Sequence, residues 1–198
     1  MKTLKIDIIL KIFTLIALGY FSYNIFLSLE YNHGKMLLLL LFGEFITMML
    51  VIFSKSTDNR DFSLISVTLT ISATFYFFFV NLNGGTALIH PIIAEIIMSI
   101  AILWQIISKL YLGRNFGLLP AYRGIVTTGP YRIVRHPIYL GYFIMHMGFL
   151  LGNFSVYNAL LYALQFGRMY YEEKTLKQNK DYAQYMKKVK YRFIPFLV

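Results

Sequence analysis

Two short clusters of polar residues in the second half of the chain carry its candidate chemistry. The first is the run Arg135-His136-Pro137, and the second is Arg168 with Glu172 and Glu173 one helical turn later. Proline favours the first position of a helix, so Pro137 predicts a helix whose free N–H groups and positive dipole end can bind a carboxylate or phosphate. A carboxylate pair can bind ribose hydroxyls or an ammonium group. The residue types alone favour equally a ligand site and a loop whose arginines contact lipid headgroups.

Glycines and a further arginine surround the first cluster. Gly129 and Gly141 permit a close approach of the backbone to a ligand, and Arg132 adds a second cationic donor. Arg168 and Glu172 are four residues apart, so on a helix they face the same side. Their alternative role is a helix-end salt bridge of little energetic value.

The amino-acid composition indicates whether water or lipid surrounds most of the protein. Hydrophobic residues make up 58% of the sequence and charged residues 14%, against about 45–50% and about 25% in soluble domains. A soluble protein could not hide this much apolar surface, so we expect most of it to face lipid. The sequence has no cysteine, which excludes disulfides, thiolate catalysis and cysteine-ligated metal sites.

Apolar segments predict an all-α, polytopic membrane bundle. Spanning helices need about 20 apolar residues. Four segments satisfy this before the first cluster, and a longer one is broken by Gly-Asn-Phe-Ser at 152–155. We therefore predict about six transmembrane helices, or five plus a re-entrant hairpin, and a C-terminal amphipathic helix over 171–189. The predicted apolar segments are 6–29, 36–53, 62–80, 87–112 and 138–171.

Charge divides the chain near residue 109. Residues 1–108 carry six Lys/Arg against six Asp/Glu, whereas residues 109–198 carry thirteen against three. Positive loops alternate with uncharged ones, which predicts cytoplasmic N- and C-termini and a cytoplasm-facing site. We expect residues 1–108 to frame a substrate cavity and residues 109–198 to hold the chemistry. The charges flank apolar spans, so membrane lipids are the expected partners and nucleic acid is not.

Isolated polar residues lie within the predicted spans. Glu44 and Glu95 are functional candidates because intramembrane acids are rare, although structural contacts explain them equally well. His146 shares a helix face with Tyr139 and Tyr142, which predicts either a pocket lining or a histidine bonded to a tyrosine hydroxyl. The four histidines have no metal-binding spacing, so we predict no metal site.

Four motifs in order resemble a known enzyme superfamily. They are Gly-Pro-Tyr-Arg-x-x-Arg-His-Pro-x-Tyr-x-Gly at 129–141, Arg-x-x-x-Glu-Glu-x-x-Leu at 168–176, Tyr-x-x-Tyr at 182–185 and Arg-Phe-x-Pro at 192–195. This pattern, over roughly residues 110–198, is similar to the isoprenylcysteine carboxyl methyltransferase and phospholipid methyltransferase superfamily. The resemblance implies S-adenosylmethionine as methyl donor in a pocket built by the last helices. The first four predicted spans carry no such motif.

The resemblance also implies roles for individual residues. Arg168 would orient the substrate beside the transferred methyl group, and Glu172 would contribute to both catalysis and cofactor binding. With the flanking Gly129 and Arg135, the expected cofactor contacts are Tyr131, His136, Pro137, Tyr139, Gly141, Glu172 and Glu173. A Phe-Gly segment usual in the family between positions 176 and 182 is absent, which leaves the adenine end of the pocket undefined.

Alternative functions remain open from sequence. NADPH-dependent sterol or steroid reductases have a related Arg-His-Pro-x-Tyr segment, usually with Asn where this chain has Ile138, so the sequence favours methyl transfer. A non-enzymatic membrane scaffold or transporter would bind neither cofactor. The expected acceptor is a lipophilic or lipidated molecule, and a carboxylate, an amine and a thiol all suit the motifs.

Overall fold

The computed structural model describes residues 2–31, 35–76, 79–80 and 85–197, and this part of the chain is helical without a β-strand. The predicted all-α class is confirmed. The helices are α1 (Lys2–Tyr31), α2 (Lys35–Phe53), α3 (Leu64–Phe75), α4 (Pro91–Leu112), α5 (Pro137–Gly152), α6 (Val156–Leu176) and α7 (Lys180–Lys188).

Helix length and surface composition confirm a membrane bundle. Within the described ranges, three helical segments are long and apolar enough to cross a bilayer, namely Lys5–Leu29, Met36–Phe53 and Pro91–Asn115. Large apolar side chains face outward, such as Ile16 at 68% and Leu64 at 81% exposure. Water would disfavour these surfaces, so lipid is their solvent.

The remaining helices are shorter or more charged than the predicted spans. The helix expected over 62–80 covers Leu64–Phe75, and α5 has 16 residues, or about 24 Å. Positions 77–78 and 81–84, within and after the third predicted span, lie outside the described residues. Helix α6 is long, but its C-terminal half carries Arg168, Glu172, Glu173 and Lys174. The count of six spans therefore stays a prediction.

Close packing of α4 against α5 positions the start of α5. A Cβ atom at Gly141 would overlap the side chain of Gln105 and lie 3.2 Å from the carbonyl oxygen of Ala101. The indole N–H of Trp104 donates to the Pro137 carbonyl at 2.8 Å. Gly141 was expected to allow a ligand close to the backbone. The structure instead fills the space next to its Cα with α4.

The C-terminal amphipathic helix predicted over 171–189 is wrong in its bounds. Helix α6 continues to Leu176, the chain turns, and α7 begins at Lys180. Asn179 causes the new start because its side-chain oxygen accepts the backbone N–H of Asp181 at 2.8 Å, which is a helix N-cap. Helix α7 then buries Tyr182 and Tyr185 beside Val189, in a cluster that also includes Ile125 and Leu176.

We expect Gly141→Ala to lower the melting temperature of the detergent-solubilised protein. The added methyl group must displace Gln105 or separate α4 from α5, and overpacking of this kind costs about 1–3 kcal/mol. Gly19→Ala in α1 is the matched control because nothing lies within 4 Å of its added Cβ, so helix propensity should leave stability unchanged or higher. Equal melting temperatures for the two variants would contradict this packing role.

Candidate functional site

A buried carboxylate lies at the centre of a cluster of charged side chains. The sequence predicts that this end of the bundle faces the cytoplasm. Glu173 on α6 is 1% exposed, and its Oε1 atom accepts a hydrogen bond from Arg135 Nε at 2.8 Å. The Nε atom of Arg192 lies 2.6 Å from Oε2, and the ammonium of Lys177 lies 3.6 Å from the same oxygen. Burial alone would raise the pKa of Glu173, but the positive charges of Arg135 and Arg192 hold that pKa below its usual value. Glu173 therefore stays ionised in the folded protein.

Arg135 also binds the C-terminal segment that follows α7. Its guanidinium donates to the carbonyl oxygens of Val189 and Lys190, the first at 3.0 Å. The backbone N–H groups of Arg135 and His136 donate to the carbonyls of Tyr191 and Arg192 at 2.9 and 2.8 Å. The loop before α5 is thus joined to the C-terminal segment by backbone and side chain together.

His136 is buried within the same cluster and is 5% exposed. Its Nε2 atom lies 3.3 Å from the hydroxyl oxygen of Tyr182 and 3.9 Å from Glu173 Oε1. Burial lowers the pKa of His136 despite the attraction of Glu172 and Glu173, so the ring is neutral at neutral pH. It therefore adds hydrogen bonding rather than positive charge to the cluster.

The 3₁₀ turn Gly129–Arg132 precedes this loop and is held by α7. The Tyr185 hydroxyl donates to the Tyr131 carbonyl at 2.6 Å. Gly129 has a φ of +57°, and a Cβ there would overlap the ring of Tyr111, so both backbone and packing require glycine. Burial raises the pKa of the Tyr131 hydroxyl, which stays protonated.

A second group of side chains adjoins this cluster, since the rings of Tyr139 and His136 are in edge contact with centroids 5.7 Å apart. The Tyr139 hydroxyl donates to Glu172 Oε2 at 2.6 Å, and within the described part of the chain it is the one hydrogen-bond partner of that carboxylate. Arg168 Nη2 donates to the Leu118 carbonyl at 3.1 Å, whereas its Nε atom is buried without a hydrogen-bond partner. Arg168 is close enough to Tyr139, Tyr142 and Glu172 for charge interaction. This group has hydrogen-bonding capacity left for a ligand.

An apolar cavity of about 120 Å³ lies between α5 and α6, next to Tyr139. His146 lines it and is also held by tyrosines, since the Tyr76 hydroxyl oxygen is 2.6 Å from its Nε2 and its ring stacks on Tyr162 at 3.8 Å. His146 therefore fits both expectations at once, because it lines a pocket and its ring nitrogen is hydrogen-bonded to a tyrosine hydroxyl. The cavity lining is Tyr139, Phe143, His146, Met147, Leu150, Ala159, Tyr162, Ala163, Gln165, Phe166, Met169 and Phe193.

The predicted site residues thus separate into two groups. Arg135, His136 and Glu173, all expected to contact the cofactor, are buried and paired with one another; Tyr131 and Pro137 are buried with them. Tyr139, Arg168 and Glu172 adjoin the cavity or retain free polar atoms.

Sequence reasoning missed Arg192 as a partner of Glu173 and Tyr182 as a partner of His136, although both lie in quoted motifs. Among the described residues no cluster of His, Asp and Glu could hold a metal ion.

We expect Glu173→Gln to destabilise the protein by about 3–5 kcal/mol, because it leaves buried Arg135 without its countercharge. The pKa of Glu173 is lower in the folded than in the unfolded chain. Its contribution is therefore present above about pH 4 and is lost as pH falls through the folded-state value. Thermal melts should show a wild-type advantage at pH 7 that shrinks in acid. Glu172→Gln, which changes a partly exposed carboxylate, is the control; equal losses from both variants would contradict the role of Glu173.

Residues 84–179 match the family model described as phospholipid methyltransferase. No curated protein shows significant sequence similarity to the chain. The matched region holds the residues 135–137 and 168–173 and all the residues that line the cavity except Phe193, and it ends at Asn179, the N-cap of α7. Over residues 84–179 the chain thus matches the isoprenylcysteine and phospholipid methyltransferase superfamily, which indicates a methyltransferase of the membrane.

Proposed function

We propose that the chain transfers a methyl group from S-adenosylmethionine to a lipophilic acceptor at the cytoplasmic boundary of the membrane. The position of Tyr139 carries this proposal. Its hydroxyl holds Glu172 in the polar part of the site, and its ring lines the apolar cavity. A charged donor and an apolar acceptor would therefore meet at one residue.

The residues present fit the methyl donor. Glu172 keeps one carboxylate oxygen free, which can accept hydrogen bonds from an ammonium or from ribose hydroxyls. When bound, S-adenosylmethionine supplies an activated methyl group on a positively charged sulfur. Negative charge at Glu172 favours such a ligand, and Tyr139 fixes the orientation of that charge. We assign Arg135, His136 and Glu173 to holding the pocket walls rather than to direct contact.

Catalysis by this arrangement is mainly a matter of positioning. The electrophile is already activated, so the protein has to align the accepting atom with the methyl group and exclude water. Arg168 can hold an oxyanion of the acceptor through its buried Nε atom, which lacks a partner. The apolar cavity removes water from the acceptor side. A carboxylate or thiolate acceptor needs no strong base, whereas an amine must lose a proton.

The basic loops support a cytoplasmic location for the site. Thirteen of the nineteen Lys/Arg residues follow position 108, and both polar clusters lie among them. Under the positive-inside rule, these loops remain on the cytoplasmic side, where S-adenosylmethionine is made. The acceptor would then enter laterally from the bilayer, between helices.

We expect the purified protein to bind S-adenosylhomocysteine but not NADPH in calorimetry. Glu172→Gln should weaken S-adenosylhomocysteine binding at least about tenfold, the equivalent of roughly 1.4 kcal/mol, because a charged acceptor is removed. Glu95→Gln is the matched control, since Glu95 is a partly exposed glutamate near the N-terminus of α4. Binding of NADPH alone would assign a reductase instead, and unchanged affinity in Glu172→Gln would remove Glu172 from the pocket.

A second expectation concerns Arg168. Arg168→Met should lower kcat/KM for methyl transfer to a membrane lipid extract by about 100-fold, comparable to loss of one oxyanion donor, while S-adenosylhomocysteine affinity stays within about threefold. Arg132→Met, which removes an exposed arginine from the 3₁₀ turn, should leave turnover unchanged. Loss of donor binding in Arg168→Met, or equal turnover in both variants, would contradict a role in acceptor orientation.

A further inference from the structure

We infer that the ion pair between Asp7 of α1 and Arg60 of the α2–α3 loop positions Arg168 for the acceptor, through the segment after α4 that contains Leu118. Asp7 and Arg60 are thus positioning residues, which do not themselves contact a ligand. This inference rests on the proposed function and extends it to residues outside the matched range 84–179. It gives the part of the chain before residue 84 a role in the reaction.

The Asp7–Arg60 pair is buried. The side chain of Arg60 is 2% exposed and that of Asp7 is 6% exposed, and Arg60 Nη2 contacts Asp7 Oδ1. Removing one partner of such a pair leaves the other charge buried without compensation, which is strongly destabilising. The pair therefore holds the α2–α3 loop against the first two turns of α1.

The backbone around Arg60 pairs with the segment that follows α4. Arg60 and Ala121 form an antiparallel bridge. Residues 59 and 61, which flank Arg60, form backbone hydrogen bonds with residues 122 and 120, at 3.0 and 3.1 Å. The Thr57 hydroxyl also donates to the Tyr122 carbonyl at 2.8 Å. A shift of Arg60 therefore shifts residues 120–122 with it.

Arg123 extends this junction and makes it depend on Asp7. Its Nε atom donates to the Lys55 carbonyl at 3.1 Å, and its guanidinium lies where a Cβ atom at Gly117 would overlap it. Burial and the charge of Arg60 lower the pKa of Arg123 to about 10, while the negative charge of Asp7 opposes this shift. Arg123 therefore stays charged at neutral pH, and Asp7 offsets the repulsion between two neighbouring arginines.

The same segment after α4 holds Arg168. Leu118 and Leu119 line a cavity of about 20 Å³ that Asp7 and Arg60 also line, so the ion pair and the two leucines border one space. Among the described residues Arg168 has no ion pair and one hydrogen bond, from its Nη2 atom to the Leu118 carbonyl at 3.1 Å. The position of Arg168 therefore depends on Leu118, and the position of Leu118 depends on the ion pair.

The group proposed to bind the methyl donor has a different support. Glu172 is held by the Tyr139 hydroxyl of α5 at 2.6 Å, a contact within the later helices. A shift of residues 117–119 should therefore impair acceptor turnover and leave donor affinity nearly unchanged, which a general loss of folding would not do. Arg123 is unsuitable for this distinction because its charge also interacts with Glu172, so the variants are made at Asp7 and Arg60.

The first test measures methyl transfer to a membrane lipid extract together with S-adenosylhomocysteine affinity. Asp7→Asn should lower kcat/KM for the lipid acceptor by at least about tenfold, with S-adenosylhomocysteine affinity within about twofold of wild type. Asp7→Glu, which keeps the charge, should retain most of the turnover. Asp58→Asn is the matched control because Asp58 is an exposed acid of the same loop, and it should change neither quantity. Full turnover in Asp7→Asn, or an equal fall in donor affinity, overturns the inference.

A double-mutant cycle then tests the route through Arg168. In an Arg168→Met background, Asp7→Asn should lower kcat/KM no further, because the side chain that Asp7 positions is already gone. Losses that multiply overturn the inference. Arg60→Lys is the milder variant should Asp7→Asn fail to fold, since it keeps the charge and removes the planar guanidinium. Its loss of about threefold should likewise vanish in the Arg168→Met background.

Labelling of Arg168 separates this inference from the proposed function, because it needs no turnover. Phenylglyoxal modifies accessible guanidinium groups, and peptide mass spectrometry gives the rate at each arginine. Arg168 should react at least about fivefold faster in Asp7→Asn than in wild type, with exposed Arg132 as the internal reference. Gly141→Ala, expected to be destabilised where α4 packs on α5, should leave the Arg168 rate unchanged.

Equal acceleration at Arg168 in Asp7→Asn and Gly141→Ala, or acceleration in neither, overturns the inference. If the labelling changes as expected but wild-type protein transfers no methyl group to lipid, the proposed function fails while the ion pair still positions Arg168.

Discussion

The ion cluster around Glu173 is the interaction on which the site depends. It joins three segments distant in sequence: the loop before α5 through Arg135, the end of α6 through Glu173 itself, and the C-terminal segment through Arg192. Burying these charges is costly, and their attraction offsets that cost only with well-placed hydrogen bonds. Those hydrogen bonds are supplied by the carbonyls of Val189 and Lys190. The cluster thereby fixes where Pro137 starts α5 and which side of α6 faces it.

Helix geometry gives the two adjacent acids of α6 different roles. Consecutive residues on a helix point about 100° apart, so Glu173 faces the buried cluster while Glu172 faces Tyr139. Arg168, one turn before Glu172, is on the same side. The ion cluster around Glu173 therefore orients the side of α6 that carries Arg168 and Glu172, the two residues proposed to contact ligands. The apolar cavity beyond Tyr139 is the proposed place for a lipophilic acceptor.

Sequence predicted the membrane bundle, the superfamily and the helix start at Pro137, because apolar run length, a joint motif and proline chemistry are local signals. It did not separate Glu172 from Glu173, since their environments depend on Arg192 and Tyr139, which are distant in sequence. The helix expected over 171–189 failed at Asn179, where a side-chain cap starts α7.

The central claim is that this pocket brings a methyl donor to a membrane lipid. It is tested most directly by supplying trideuteromethyl-labelled S-adenosylmethionine to the protein in bilayers made from a total lipid extract, followed by mass spectrometry of the lipid phase. The account predicts that the label enters the lipid phase, and that Glu172→Gln abolishes the transfer. Label that stays in the aqueous phase with wild-type protein, or that enters lipid equally with Glu172→Gln, would contradict it.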